Sequence, residues 1–198
     1  MTPIIEAIAI GGSAGALDAL AAILPALPRG LSVPIVLVLH IPAGQSSHLS
    51  EVLGAQCALR VKEAEDKEPL APGVLYVAPP DYHVLIEKSR CLALSVDEPV
   101  LYSRPAIDVL FDSAADAYRQ GLIGVLLAGS SEDGAHGLLK IKRAGGLGLV
   151  QAPETESARA MPEAAIRLGA VDHVLSPSAL GAFLATLNER SFLPTEAE

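Results

Sequence analysis

The stretch IIEAIAIGGSAGALDALAAILP, residues 4–25, decides the fold. Its apolar run from Ile4 to Ile10 stops at Gly11-Gly12, and helical spacing resumes at Leu17, Leu20, Ala21 and Leu24 before Pro25. A short apolar run, a glycine pair and an amphipathic segment read as strand, tight turn and helix. Outward from it, PIVLVL (34–39) is apolar without interruption, as a parallel strand must be when helices cover both its faces. A helix from about Ser47 to Leu53 and a short strand near Ala58 to Val61 follow, and the charged, proline-punctuated KEAEDKEPLAP (62–72) reads as a surface loop.

Three strand-like pieces come next: VLYVAP (74–79), HVLIE (83–87) and CLALSV (91–96). The connections between them are too short for a crossover helix, which predicts antiparallel pairing. Helical spacing over Pro105 to Tyr118 puts Ile107, Leu110, Phe111 and Ala114 on one side and a solvated stripe of Asp108, Asp112 and Asp116 on the other. Beyond it the pattern alternates: strand LIGVLL (122–127), helix Gly134 to Arg143, strand Leu147 to Ala152, helix Ala160 to Leu168, a last helix from Pro177 through Leu187, and a frayed tail from Ser191 to Glu198. The order predicts one domain over residues 1–198, with its core in about 4–187. Its architecture would be a doubly wound, three-layer α/β/α arrangement with a mostly parallel sheet.

Composition narrows the function classes. Fourteen Lys and Arg against twenty-three Asp and Glu give a formal charge of −9, and the basic residues do not cluster, which argues against nucleic acid as a partner. No run of 18 apolar residues is free of Gly, Pro or charge, so no membrane insertion is expected. The N-terminus MTPIIEAIAIGG lacks a positively charged leader region, and Cys57 and Cys91 read as packed thiols in a reducing, cytoplasmic compartment.

Ligands of open α/β sheets bind at the carboxyl ends of the strands. Ser13 stands there after the first strand, His40 after PIVLVL, and Asp133 after LIGVLL. A nucleophile, a base and an orienting carboxylate are thus brought to one edge from 27 and 93 residues apart, and a triad is recognised by role and geometry, not by chain order. Each has a plainer reading: Ser13 as a helix cap, His40 as a satisfied structural histidine, Asp133 as a carboxylate at a helix N-terminus. Glu132 is a weaker candidate for the role of Asp133. A dinucleotide fingerprint fails, because Gly11, Gly12 and Gly15 do not give G-x-G-x-x-G and the second strand ends in His40 and not in an acid. A metal is not expected either: Asp133 and His136 share a helix face at i,i+3, but no H-E-x-x-H and no paired cysteines accompany them, and His48, His83 and His173 are scattered.

The chain resembles the catalytic domain of the bacterial chemotaxis protein-glutamate methylesterases, the CheB family. The resemblance is carried in order by AIGGSAGALDAL (9–20), VLVLHIPAGQSSHLSEVL (36–53), VKEAEDKEPLAPGVLYVAPPDYHVLI (61–86), RPAIDVLFDSAA (104–115), GVLLAGSSEDGAHGLLKIKRAGG (124–146) and QAPETESARAMPEAAIRLGAVDHVL (151–175). It implies an α/β domain with a small antiparallel hairpin. The implied activity needs no cofactor: it hydrolyses the γ-methyl ester of glutamates on cytoplasmic chemoreceptor helices with release of methanol, and deamidates certain receptor glutamines. It assigns catalysis to Ser13, His40 and Asp133, and it includes His83 and Arg104 near the cleft without giving them a role.

Three departures stand out. The family's Ser-Thr-Gly-Gly is here Ser13-Ala14-Gly15-Ala16, and its Gly-Met-Gly-Asn-Asp-Gly is Gly129-Ser130-Ser131-Glu132-Asp133-Gly134. These bear on rate and substrate range. The first strand begins at residue 4, so no phosphorylatable receiver domain is expected ahead of it. That leaves room for a separate response-regulator protein as partner, and predicts a basal activity indifferent to small phosphodonors. A serine esterase or amidase with another substrate, and a weakly active binding module, stay as alternatives.

Overall fold

The computed structural model describes residues 4–40, 48–153 and 159–187. The chain runs through β1 (Ala7–Gly12), α1 (Ala16–Ile23), β2 (Ile35–Leu39), α2 (Leu49–Gly54), β3 (Arg60–Glu63) and β4 (Val74–Val77). A hairpin of β5 (His83–Ile86) and β6 (Leu92–Ser95) precedes α3 (Ile107–Tyr118), β7 (Leu122–Leu126), α4 (Ala135–Arg143) and β8 (Leu147–Gln151). Then come α5 (Ala160–Arg167), β9 (His173–Leu175) and α6 (Pro177–Ala185). The tail expected over 191–198 and the expected helix start at Ser47 lie outside the described residues.

Seven strands form one sheet in the order β3-β4-β2-β1-β7-β8-β9, with every neighbouring pair parallel. Successive side chains of a strand point to opposite faces, and both faces are covered. Ile8, Ile10, Ile35 and Leu37 pack with Leu20 of α1 and Leu180 of α6. Ala7, Ala9, Val36 and Val38 pack with Leu110 and Phe111 of α3 and Leu138 of α4. Each such Ile or Leu contributes about 1.5–3 kcal/mol by leaving water, which is why the central strands are apolar at every position. The result is the expected three-layer α/β/α fold, with the antiparallel β5–β6 hairpin packed beside α3.

Two expectations are corrected. VLYV of β4 does not pair with the hairpin; it lies parallel to β2, with Ile35 opposite Leu75. Its four residues are buried, as an interior strand requires, and the short link after it carries the chain out of the sheet toward α3. A short link therefore decides where the chain goes next, not which strands pair. β9 was not anticipated: at three residues, two of them exposed, an edge strand leaves no periodicity to read.

The topology also makes a crevice. β1 continues to β2 on one side while β7 continues to β8 on the other, so the segments leaving these neighbouring strands part at the carboxyl edge. The start of α3 presses against that edge: a Cβ on Gly11 would come within 2.2 Å of Ile107 Cγ2, so only glycine lets the helix sit there. Among the described residues no helix is long and apolar enough to cross a membrane.

Candidate active site

Ser13 follows β1 directly at the crevice. Its N–H donates to the Ala128 carbonyl beyond β7 at 2.9 Å, and its carbonyl accepts from Ala16 N at 3.0 Å. The cap of α1 is Gly15, in the left-handed region at φ +83°, so the Ser13 hydroxyl is not the cap. Among the described residues that hydroxyl makes no hydrogen bond. The loop after β7 closes on it: a Cβ on Gly129 would stand 3.1 Å from Ser13 Cβ and 2.5 Å from Met161 Cε. The N–H groups of Ala14 and Gly129 bond to no described residue, which leaves donors on both walls of the crevice.

His40 is fixed through its backbone, whose N–H donates to the Gly12 carbonyl at 3.1 Å. Its ring Nε2 lies 2.7 Å from Asp133 Oδ2, with the histidine side chain 13% exposed and the aspartate fully buried. Because a carboxylate only accepts, Nε2 carries the proton of this bond and Nδ1 holds the free lone pair. Asp133 receives two more donors, Ile107 N on Oδ2 at 2.7 Å and Asp108 N on Oδ1 at 2.9 Å. These are the first two residues of α3, so the carboxylate occupies the N-terminus of a helix other than the one it precedes. Orphan N–H groups and the positive end of the helix dipole both face it.

The arrangement is reciprocal. Asp108 Oδ1 accepts from Gly137 N, in the first turn of α4, at 2.7 Å. The expected solvated stripe is thus corrected at its first member: Asp112 and Asp116 are exposed, but Asp108 is half-buried and ties α3 to α4. Burial pushes the Asp108 carboxyl from 3.8 up to about 6, the Gly137 bond opposing this and the nearby Asp133 charge adding to it. A raised acid favours the folded state in its protonated form, so its contribution is present below about pH 4 and is lost as pH rises to about 6. Asp108→Asn keeps the acceptor for Gly137 without the charge. Relative to wild type, its unfolding free energy should rise between pH 4 and 6; a difference that stays flat in urea titrations across that range would contradict the account.

The remaining sequence candidates sort by exposure. Glu132 points outward, 68% exposed, and pairs with Arg167 at 2.8 Å. Arg104, expected near the cleft, pairs with no acid among the described residues; its Nη1 donates to the carbonyls of Val96 and Asp97 at 2.9 and 3.0 Å. His83 is 1% exposed and anchors the start of α3 through Ala106. A cleft of about 320 Å³ is lined by Gly15, Asp18, Ala128, Gln151, Pro162 and Pro177 among others, and Ser13 is not part of its lining. Among the described residues no group of three His, Cys, Asp or Glu could hold a metal ion.

The family model described as CheB methylesterase matches residues 8–184. A Leptospira interrogans protein is 46% identical over 186 residues, spanning 94% of this chain and 96% of the relative. The protein-glutamate methylesterase/protein-glutamine glutaminase 1 of Carboxydothermus hydrogenoformans is 41% identical over 185 residues, 91% of this chain but 54% of that protein. The crystal structure of the Thermotoga maritima CheB methylesterase catalytic domain superposes with a TM-score of 0.87 at 34% identity, covering 92% of this chain and 98% of that one. With sequence and fold agreeing along nearly the whole chain, it belongs to the CheB methylesterase family.

Proposed function

We propose that the protein is a cytoplasmic serine hydrolase, its residues 1–198 acting as one catalytic domain, that removes the γ-methyl ester from glutamates on chemoreceptor helices and deamidates receptor glutamines. The observation that carries this reading is the 2.7 Å bond from His40 to a buried Asp133 at the switch point of the sheet, where the neighbouring strands β1 and β2 lead into Ser13 and His40. Ser13 Oγ attacks the ester carbonyl while His40 Nδ1 takes its proton. Asp133 holds the imidazole in the tautomer that leaves Nδ1 bare and favours the imidazolium that forms. The N–H groups of Ala14 and Gly129, which bond to no described residue, are the donors this reading assigns to the oxyanion. The imidazolium returns its proton to methoxide as methanol leaves. Water, deprotonated by the same nitrogen, then cleaves the acyl-serine and restores glutamate and Ser13. No step calls for a cofactor, and a separate response-regulator protein is the regulatory partner this reading leaves room for.

A second reading draws on one observation. Ser130-Ser131-Glu132 replaces Met-Gly-Asn of the resembling motif at the crevice rim, where a different ester or amide would be accommodated. Methanol release from methylated receptor, set against hydrolysis of a small aryl ester, separates the two. Receptor turnover well above the Ser13→Ala level supports the first. Aryl ester cleavage without methanol supports the second, and neither activity would mark a binding module.

A further inference from the structure

We propose that His83 is a positioning residue for the reaction, holding the start of α3 where its N–H groups can seat Asp133. The inference rests on the reading of Ser13, His40 and Asp133 as the reacting groups, and it concerns a residue whose ring hydrogen bonds go to Ala106 and Glu98.

His83 opens β5 and is 1% exposed. Its Nδ1 accepts the N–H of Ala106 at 3.1 Å, so the ring proton sits on Nε2, which donates to the Glu98 carbonyl at 3.1 Å. Both nitrogens of a neutral ring are therefore used, and both go to backbone. Ala106 is the cap residue of α3, extended at φ −109° and ψ 142°, and its side chain caps nothing. The next two N–H groups are the donors to Asp133 Oδ2 and Oδ1. A continuous path thus runs from His83 through three successive main-chain amides to Asp133 and on to His40 Nε2. Arg104 fastens the other side of the same segment by bonding the Val96 and Asp97 carbonyls, next to the Glu98 carbonyl held by His83.

The consequence is geometric. The first N–H groups of a helix have no intrahelical partner and fray unless something holds them. Here they set the plane of the Asp133 carboxylate, and with it the imidazole it orients. Loss of the His83 acceptor frees Ala106, and a small rotation of the first turn of α3 swings the carboxylate away from His40. A plainer role, a buried histidine that only fills space beneath the hairpin, would show no dependence on which nitrogen is replaced.

Two substitutions divide these roles. In His83→Asn the side-chain oxygen stands near the place of Nδ1 and can accept from Ala106, while the bond to Glu98 is lost. In His83→Gln the amide nitrogen reaches the place of Nε2 and keeps Glu98, while Ala106 loses its acceptor. We expect His83→Gln to lower kcat on methylated receptor about 10- to 100-fold with KM within about twofold, and His83→Asn to stay within about threefold of wild type. The downfield proton NMR signal of His40 Nε2–H should persist in wild type and His83→Asn and be lost in His83→Gln. Equal losses in both variants, or a smaller loss in His83→Gln, would overturn the proposal.

The NMR arm needs no turnover. If wild type releases no methanol, the esterase reading fails while the imidazole signal still decides for or against His83. Should circular dichroism show His83→Gln unfolded, amide exchange of the wild-type protein decides instead. Ala106, Ile107 and Asp108 should be as protected as the interior of α3, and rapid exchange at Ala106 would overturn the proposal.

Discussion

Ser13→Ala is expected to bring methanol release from methylated receptor down to the buffer rate, a loss of more than about 10⁴-fold in kcat, in a protein that folds as wild type does. The substitution removes one atom, Oγ. Among the described residues that atom makes no hydrogen bond, so no partner is orphaned by its removal. The bonds that place residue 13 are main-chain ones, to Ala128 and from Ala16, and alanine keeps both. Its Cβ keeps the same fit against Gly129. The cost in stability should accordingly stay within about 0.5 kcal/mol, as for other partly exposed positions outside the core. What remains in the variant is His40 with a bare Nδ1, two N–H donors and the substrate, but nothing to attack the carbonyl. A rate above about 1% of wild type, with the melting curve unchanged, would mean that a water activated by His40 or another hydroxyl is the nucleophile, and that Ser13 is not.

The contrast between what the sequence revealed and what it concealed follows from which atoms do the work. β1, β2 and β7 were legible because their side chains are buried on both faces, so every position had to be apolar and the run ended visibly at Gly11-Gly12, His40 and Ala128. Ser13, His40 and Asp133 stand out at those ends, since a parallel sheet puts all its carboxyl ends on one edge. The partners of Asp133 could not be read in the same way. Ile107 and Asp108 serve through main-chain N–H groups that any residue but proline would supply, so the choice of side chain carries no mark of the role. Ala106, the residue that His83 holds, is hidden for the same reason. The period of Asp108 matches that of Asp112 and Asp116, which by itself points it to solvent. A helical wheel reports which residues share a side of a helix but not that a neighbouring helix begins above one end of it.

The same distinction between a carboxylate held by backbone and one facing water ranks the two acids that sequence spacing could not. Asp133→Asn is expected to cost about 10² to 10⁴ in kcat/KM, the upper figure being that of the serine-protease case. Three donors converge on the Asp133 carboxylate: Ile107 N, Asp108 N and His40 Nε2. His40 Nε2 and Ile107 N share Oδ2 while Asp108 N bonds Oδ1, so an amide's one oxygen serves one side or the other and its NH₂ faces what remains. If the oxygen stays on Asp108 N, the NH₂ opposes Ile107 N–H and faces His40, which can answer it only by turning a bare Nε2 toward it, and this moves the ring proton to Nδ1 and removes the acceptor Ser13 needs. If the oxygen instead keeps His40 and Ile107 N, the NH₂ opposes Asp108 N–H; either way one α3 N–H is left opposed, at a cost of about 1–3 kcal/mol in stability. Neither state is open to Glu132→Gln. That side chain is exposed, and its ion pair with Arg167 is a surface pair worth about 0–1 kcal/mol, so the variant should lose less than about tenfold. Both variants, with circular dichroism to confirm folding, are to be compared on methylated receptor. A larger loss in Glu132→Gln than in Asp133→Asn would transfer the orienting role to the exposed acid, and would require the acid loop to rearrange so that Glu132 exchanges Arg167 for His40 when substrate binds.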